Sequence, residues 1–289
     1  MKRVLIAGAT GYSGSYIAEE LLRQNYFVRA LTRSTDKLKS LRHAIHEIIE
    51  AEITKPATLT GCCNGIDAVI TTIGITRQKD NLTYMDVDYN GNLNLLKEAE
   101  KSGVKRFIYI FIFNAEKIKQ LKIIQAKKKF AEVLKQSSLN YCLVNPTGFF
   151  SDMGEFLKMA SKGRAYLFGK GEHSINPIHG KDLAKVCVSA IDTNEHEINI
   201  GGPQVFTHKE IVHTAFHVLN KPVKITRLPL WLKDVILFLL RKFTRVSTYG
   251  PVEFLLAVLT MDMVAPAYGH HTLEEYFKEL KHEINAKLS

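Results

Sequence analysis

The stretch from Val4 to Gly14 constrains the fold of this 289-residue chain most, because three glycines join an apolar run to a helical pattern. The apolar run predicts a buried strand, and the residues after Gly14 repeat apolar positions at helical spacing. Gly8 allows a tight turn out of the strand, Gly11 allows close approach of the backbone to a ligand, and Gly14 allows the helix to lie against the sheet. The stretch therefore predicts a strand, a phosphate-binding loop and a helix.

The start of this helix is suited to binding phosphate. The first N–H groups of a helix lack intrahelical partners, and the helix dipole is positive at that end. Hydroxyl groups of Thr10 and Ser13 can donate further hydrogen bonds. We predict that a dinucleotide pyrophosphate is bound here by Gly8, Thr10, Gly11, Tyr12, Ser13 and Gly14. The alternative is a glycine-rich turn without a ligand.

Strand and helix signals alternate through the first half of the chain, which is typical of an α/β fold with a doubly wound parallel sheet. Strands are predicted at Val4–Ala7, Val28–Leu31, Glu47–Ile49, Ala68–Ile73, Arg106–Ile110 and Tyr141–Val144, with helices in the intervals. We predict a Rossmann-like, NAD(P)-binding domain over residues 1–150. A smaller substrate-binding C-terminal region, interleaved with that domain, is predicted over residues 151–289.

The end of the second predicted strand indicates which dinucleotide binds. An acidic residue at this position would bind the ribose 2′-hydroxyl of NAD, but the chain has Arg33 there and Lys37 one turn later. A guanidinium can bind a phosphate with two hydrogen bonds, and no carboxylate is expected at the strand end to repel that phosphate. The pattern predicts NADP(H). The alternative is a surface arginine at a strand exit.

Two further segments should border the same crevice. The fourth predicted strand ends with the run Thr71-Thr72-Ile73-Gly74, so Thr72 and Gly74 are predicted to lie beside the cofactor. A helix opens near Asp88 and Asn92, which we interpret as capping and packing residues.

Lys127 interrupts an apolar helical stripe made by Ile123, Ile124, Phe130, Ala131 and Leu134. Its side chain is therefore predicted to point inward, where it can hydrogen-bond the nicotinamide ribose and hold positive charge near the reacting centre. The alternative is a lysine whose stem lies along the apolar face.

The second half of the chain offers weaker signals. Seven large apolar residues predict either an apolar substrate pocket or a second small core: Phe149, Phe150, Met153, Phe156, Met159, Trp231 and Phe254. His270 and His271 are expected to be exposed in a turn, and no metal site is predicted. The mixture of apolar and basic residues from Leu228 to Phe243 leaves peripheral membrane contact open.

Composition limits the other possibilities. The net charge of +10 favours an anionic ligand, and no nucleic-acid-binding module is visible, so nucleic acid is not an expected partner. Four cysteines without CxxC spacing favour a reducing compartment. The first residues do not resemble a signal peptide, and no apolar run has the length of a transmembrane helix. We expect a cytoplasmic protein.

Four motifs together resemble the atypical short-chain dehydrogenases, and within them the NmrA-like group that contains divinyl chlorophyllide 8-vinyl reductases. The motifs are Gly8-Ala-Thr-Gly-Tyr-Ser-Gly14, Asp88-Tyr-Asn-Gly-Asn92, Gly103-Val-Lys-Arg-Phe-Ile-Tyr109 and Asn145-Pro-Thr-Gly-Phe-Phe150. The resemblance implies a Rossmann-like fold and NADP(H) binding. It also implies cofactor contacts at Asn145, Pro146, Thr147 and Gly148.

The chain departs from the family pattern at the catalytic positions. The usual serine is replaced near Phe111, and the usual tyrosine, four residues before Lys127, is Ile123. We therefore expect an NADPH-dependent reductase of an apolar unsaturated or carbonyl-bearing small molecule, with Lys127 as its catalytic residue. The alternative is a non-catalytic NADP(H)-binding sensor of the NmrA type. The sequence does not predict the oligomeric state.

Overall fold

The computed structural model describes residues 1–75 and 81–286. Its strands are β1 (Arg3–Ala7), β2 (Phe27–Thr32), β3 (Glu47–Glu50), β4 (Ala68–Thr71), β5 (Arg106–Ile110), β6 (Asn140–Pro146), β7 (Ala165–Phe168), β8 (Ser174–Ile175), β9 (Glu197–Ile200), β10 (Phe206–Thr207) and β11 (Ile225–Leu228). Its α-helices are α1 (Tyr12–Arg23), α2 (Asn92–Lys101), α3 (Lys122–Gln136), α4 (Phe150–Ser161), α5 (Gly180–Ser189), α6 (His208–Val218), α7 (Leu230–Phe243), α8 (Val246–Val258) and α9 (Leu273–Ala286).

The central sheet has seven strands in the order β3-β2-β1-β4-β5-β6-β9. The pairings from β3 through β6 are parallel, and in register Ala7 lies beside Leu31 on one side and Thr71 on the other. The order reverses between β1 and β4, and such a switch point is where open α/β sheets bind ligands. The predicted α/β, Rossmann-like doubly wound sheet is confirmed.

Two details of the sequence prediction were wrong. The intervals before and after β3 hold only 3₁₀ segments, Thr35–His43 and Pro56–Leu59, instead of α-helices. The seventh strand, β9, was not predicted, because a short edge strand with half-exposed residues lacks the continuous apolar run of a central strand.

The chain forms two compact units. The first comprises residues 1–145 and 183–198, and the second comprises residues 146–182 and 199–289. The core of the first unit includes Phe107, Tyr109 and Phe130, which are fully buried. The Tyr109 and Phe130 rings meet edge to face at 4.8 Å between centroids, so β5 and α3 are joined by aromatic packing.

The glycine loop fixes α1 against β1. The Gly8 backbone has φ of +95°, a region that favours glycine. A Cβ added at Gly14 would lie 2.0 Å from the Gly8 carbonyl oxygen, which is far inside van der Waals contact. Only glycine at position 14 therefore allows the first turn of α1 to approach the end of β1 this closely.

The second unit has its own apolar interior. Helices α4, α6 and α9 pack on one another, and Phe150, Phe216 and Phe277 are fully buried in this unit. The strand pairs β7 with β11 and β8 with β10 form two small sheets. Phe150, Met153 and Phe156 belong to this core, whereas Trp231 is exposed and does not belong to it. The predicted substrate pocket stays a prediction.

His208 is buried at the start of α6, and neither of its ring nitrogens has a hydrogen-bond partner among the described residues. Its ring stacks on Phe156. Burial, with repulsion from His173 as a smaller cause and attraction by Asp262 in opposition, lowers the pKa of His208 to about 4. The neutral ring is therefore the form that the folded unit accommodates.

The glycine contact can be tested by adding one methyl group. We expect Gly14→Ala to lower the free energy of unfolding by about 3 kcal/mol or more, because backbone must move, and to abolish dinucleotide binding. The control is Gly103→Ala, where φ is +71° but an added Cβ meets no described atom within 4 Å. The control should cost about 1–2 kcal/mol and keep the affinity. Urea unfolding and calorimetry measure both; normal dinucleotide affinity in Gly14→Ala would contradict the packing argument.

The buried His208 predicts acid sensitivity. Its pKa is lower in the folded than in the unfolded chain, so stability is complete above about pH 6.5 and falls as the pH drops toward about 4. The decrease in the free energy of unfolding over this pH range should be smaller in His208→Leu, by on the order of 3 kcal/mol. His213→Leu, on the exposed side of the same helix, should leave the pH profile unchanged. Urea unfolding from pH 7.5 to 4 measures this, and identical profiles for His208→Leu and the parent chain would exclude the titration.

Candidate functional site

The glycine loop between β1 and α1 has the geometry that the sequence predicted. The Gly11 N–H donates to the Gly8 carbonyl at 3.0 Å, and α1 begins at the next residue. Among the described residues no side chain caps this helix, and its first turn carries no acidic residue. Ser13 and Gly14 are buried, whereas Thr10 and Gly11 are exposed. This open, non-acidic helix start fits a pyrophosphate, with the exposed residues toward the ligand.

Thr72 secures the loop from the neighbouring strand. Its N–H donates to the Ala7 carbonyl at 3.0 Å, and its hydroxyl lies 3.3 Å from that carbonyl and 3.4 Å from the Gly8 carbonyl. A Cβ at Gly8 would lie 2.4 Å from the Thr72 hydroxyl. The ends of β1 and β4 are thus tied together at the switch point.

Arg33 follows β2 directly, at the sheet edge that also holds Gly8, and its side chain is exposed. Lys37 is exposed in the following 3₁₀ segment. The expectation that no carboxylate lies near this position was wrong: Glu52, just after β3, approaches Arg33 to 3.7 Å. The sequence did not reveal Glu52 because β2 and β3 meet only through parallel pairing.

Lys127 points inward from α3, as the helical stripe predicted, and 15% of its side chain is exposed. Its ammonium lies 3.1 Å from Asp88 Oδ1 and donates to the Tyr109 hydroxyl at 3.4 Å. The Asp88 side chain is fully buried, in a π-helical turn, Met85–Gly91, that precedes α2. Sequence reasoning took Asp88 for a capping residue. An inward lysine requires a buried counter-ion, and this requirement was the available signal.

The charges of this cluster fix its protonation. Burial by itself lowers the pKa of Lys127, but Tyr109 and Asp88 outweigh it and raise that pKa overall. Burial raises the pKa of Asp88, and the Lys127 charge opposes the rise. Burial also raises the pKa of Tyr109 to about 12, so the phenol is neutral near pH 7 and the charged partner of Lys127 is Asp88. The site therefore holds an ion pair of Lys127 and Asp88, with a neutral phenol beside it.

Gly74 and Asn92 hold the end of β4 against this pair. A Cβ at Gly74 would lie 2.6 Å from Asp88 Oδ1 and 2.8 Å from Lys127 Nζ, so any other residue would have to displace this pair. The Ile75 N–H donates to Asp88 Oδ2 at 3.1 Å. The Asn92 amide donates to the Ile73 carbonyl at 3.1 Å, and its oxygen accepts from the Thr71 hydroxyl at 2.8 Å. The ammonium therefore lies beside the carboxyl end of β4.

The usual serine and tyrosine have apolar replacements. Ile123 is buried in α3, and Phe111 packs half-buried against the core of the first unit. Neither side chain can donate a proton.

Asn145 and Pro146 are the last two residues of β6, and Thr147 and Gly148 come directly after the strand. The Asn145 amide donates to Glu197 at 2.7 Å within the first unit, and the Thr147 hydroxyl donates to the Asn176 carbonyl at 2.6 Å within the second. Both side chains are buried, as is Pro146, whereas Gly148 is half-buried. Their predicted contact with the cofactor stays a prediction.

The sequence predicted that His270 and His271 are both exposed, and for His271 this prediction was wrong. His271 is partly buried, stacks on His179, and places Nδ1 2.9 Å from Oδ1 of the fully buried Asp182. The backbone N–H groups of His270 and His271 both donate to Asp182 Oδ2 at 3.1 Å. The ligand atoms of Asp182, His270 and His271 lie within 4.8 Å of one another. Hydrogen bonding to the carboxylate accounts for this arrangement.

A sequence model of the family described as NAD(P)H-binding matches residues 8–194. This span contains the glycine loop, the carboxyl ends of β2 and β4, and Lys127. The chain belongs to the NAD(P)H-binding family. A nicotinamide dinucleotide is therefore the ligand class of this chain, in agreement with the prediction, and its binding at the glycine loop stays a prediction.

Relatives place the chain more narrowly. The photosystem II assembly factor Ycf39 of Synechocystis is 28% identical, over 99% of this chain and 93% of that protein. The chloroplastic divinyl chlorophyllide a 8-vinyl-reductase of Zea mays is 27% identical, over 97% and 79%. The predicted resemblance to the NmrA-like atypical short-chain dehydrogenases is confirmed.

A solved structure shares the fold. The NADPH-dependent quinone oxidoreductase QOR2 of Escherichia coli, complexed with NADPH, superposes with a TM-score of 0.76 at 16% identity, covering 96% of this chain and 99% of that one. The likeness shows that the chain shares this fold. Within the described residues, no helix has both the length and the apolar character needed to cross a bilayer.

The environment of Arg33 predicts the cofactor preference. We expect Arg33→Ala to weaken NADPH binding by about 10- to 150-fold, because one charge-assisted contact with the 2′-phosphate is lost, and to leave NADH nearly unchanged. Glu52→Gln should strengthen NADPH binding, since a competing partner and a repulsive charge are removed. Calorimetric titration with both dinucleotides measures these effects. Equal affinity of the parent chain for NADPH and NADH would contradict the assignment.

Proposed function

We propose that the protein is an NADPH-dependent reductase of an apolar, unsaturated or carbonyl-bearing small molecule. The observation that carries this proposal is the buried cation of Lys127, held by Asp88 and Tyr109 beside the carboxyl end of β4. Burying an ammonium is costly unless other groups compensate for its lost hydration. The Lys127 ammonium is held by α3, the π-helical turn and β5, at the carboxyl ends of the strands, where folds of this class bind ligands.

The chain's residues would divide the work as follows. The start of α1 and the glycine loop bind the pyrophosphate, and Arg33 binds the adenosine phosphate. Lys127 hydrogen-bonds the nicotinamide ribose and supplies positive charge where the substrate gains electron density. The dinucleotide, when bound, supplies the hydride.

The proton for the substrate would come from a source other than Ile123 or Phe111, because neither has a titratable group. Tyr109 is fully buried and its raised pKa disfavours ionisation, so it serves as a neutral partner of Lys127. Lys127 is thus proposed as a catalytic residue that orients and polarises. Solvent would supply the proton that the reduced product gains in addition to the hydride. This chemistry suits reduction of a conjugated double bond or quinone.

The second candidate is a non-catalytic NADP(H)-binding sensor. The loss of both the usual serine and the usual tyrosine favours it, and so does the name of one relative, an assembly factor. In a sensor, the pair of Lys127 and Asp88 would report dinucleotide binding to a protein partner. The two candidates differ in whether hydride leaves the bound dinucleotide.

The deciding measurement is a single-turnover assay with bound NADPH deuterated at C4, using each epimer in turn. Vinyl, enone and quinone compounds are offered, and mass spectrometry detects deuterium in the product. We expect transfer to at least one compound. Lys127→Met should lower the rate about 100-fold, because a misplaced donor is costly even when it still binds.

Two controls separate chemistry from folding. Lys128→Met lies next on α3, where Lys128 pairs with the exposed Glu116, and should leave the transfer rate unchanged. Lys127→Met removes the counter-ion of the buried Asp88 and should lower the free energy of unfolding by about 3–5 kcal/mol. The double variant with Asp88→Asn should recover that stability but not the hydride transfer. Absence of transfer across the panel, with partner binding that differs between NADPH and NADP⁺, would replace the reductase by the sensor.

A further inference from the structure

Helix α7 is strongly apolar yet contributes nothing to a core. Ten of its fourteen residues are apolar, and none of the fourteen is buried. Trp231 and Phe238 are each 63% exposed, and Phe243 is 72% exposed. Single exposed apolar residues are ordinary on protein surfaces, but a whole helix of them indicates an interaction surface.

The exposed residues form one line along the helix. Trp231, Val235, Phe238 and Lys242 follow at spacings of four, three and four, so they share one face over about 16 Å. All four are exposed, and Leu239 and Phe243 flank them. We call these six residues the α7 ridge. A straight ridge parallel to the helix axis can enter a flat boundary along its whole length.

The opposite face of α7 is held by α8, so the ridge is presented on a fixed support. The two helices pack together, and Arg241 forms an ion pair with Glu253, whose side chain is nearly buried; the Arg241 Nε lies 2.8 Å from that carboxylate. This pair uses the Glu253 charge internally. Leu255 of α8 is also exposed.

Charge distinguishes between possible occupants of the ridge. Residues 221–258 contain seven lysines and arginines and two acidic residues, and one of those two acids is the internally paired Glu253. The other, Asp234, lies 3.5 Å from Lys233. Lys242 and Arg245 are exposed, and the Lys242 ammonium lies 5.5 Å from the centroid of the Phe243 ring. Tryptophan, phenylalanine and leucine flanked by cations are typical of a helix that lies in the headgroup region of an anionic bilayer.

We propose that the α7 ridge docks on an anionic phospholipid membrane, with Trp231, Phe238 and Phe243 inserted at the level of the acyl boundary and Lys242 and Arg245 among the headgroups. The fourteen residues of α7 span about 21 Å, a length that suits a helix lying along the surface. A second copy of the chain or another protein is the competing occupant, and the positive charge around the ridge disfavours self-association.

Trp231 is the single tryptophan of the chain, so it reports directly on the ridge. The full chain is mixed with vesicles of phosphatidylcholine alone or with about a third phosphatidylglycerol. We expect co-sedimentation and a blue shift of Trp231 emission with the anionic vesicles only, quenching by brominated acyl chains, and release at high salt because the charges are screened. Equal binding to neutral vesicles, or no shift with either kind, would overturn the proposal.

Matched variants locate the surface. Phe238→Ser should weaken binding about tenfold or more, since apolar burial is lost, and Lys242→Gln should weaken it about fivefold. The controls are Val205→Ser and Lys170→Gln, which alter exposed residues outside the ridge and should change nothing. Equal losses in the controls would refute the location. A Trp231 shift that appears without vesicles as protein concentration rises, with a larger sedimentation coefficient, would assign the ridge to self-association.

Discussion

The contact between Gly14 and the Gly8 carbonyl sets the geometry on which the dinucleotide end of the molecule depends. Because position 14 carries no side chain, the first turn of α1 comes directly to the carboxyl end of β1. The parallel register then brings Thr72 on one side and Arg33 on the other to the same edge. An open helix start, the Thr72 tether and an exposed guanidinium are thus brought together by backbone pairing.

The pair of Lys127 and Asp88 solves a different problem. An ammonium near the sheet edge loses hydration, and a fully buried carboxylate at 3.1 Å compensates for that loss. The same carboxylate accepts from the Ile75 N–H, and Gly74 leaves room for both charges. The cation is therefore part of the support of β4 and of the π-helical turn. This dual role explains how the cluster is maintained although the tyrosine of the usual catalytic helix is replaced by Ile123.

The second unit divides its apolar residues between two uses. Phe150, Phe216 and Phe277 fill an interior among α4, α6 and α9, whereas α7 keeps its apolar residues on the surface. In water such a helix retains unfavourable apolar exposure, which an external surface can relieve. Buried histidines add a pH dependence to this unit, since burial lowers the pKa of His179 and of His208 to about 4.

The sequence by itself determined the strand, loop and helix at Val4–Gly14, the six central strands and the inward direction of Lys127, because periodicity and glycine spacing are local signals. It did not determine that Glu52 reaches Arg33, that Asp88 neutralises Lys127, or that His271 meets Asp182, because these partners are separated by 19, 39 and 89 residues. Only the packing of parallel strands and helices brings them together. The sequence also showed that the residues of α7 are mostly apolar. Only the tertiary structure showed that none of them is buried in a core.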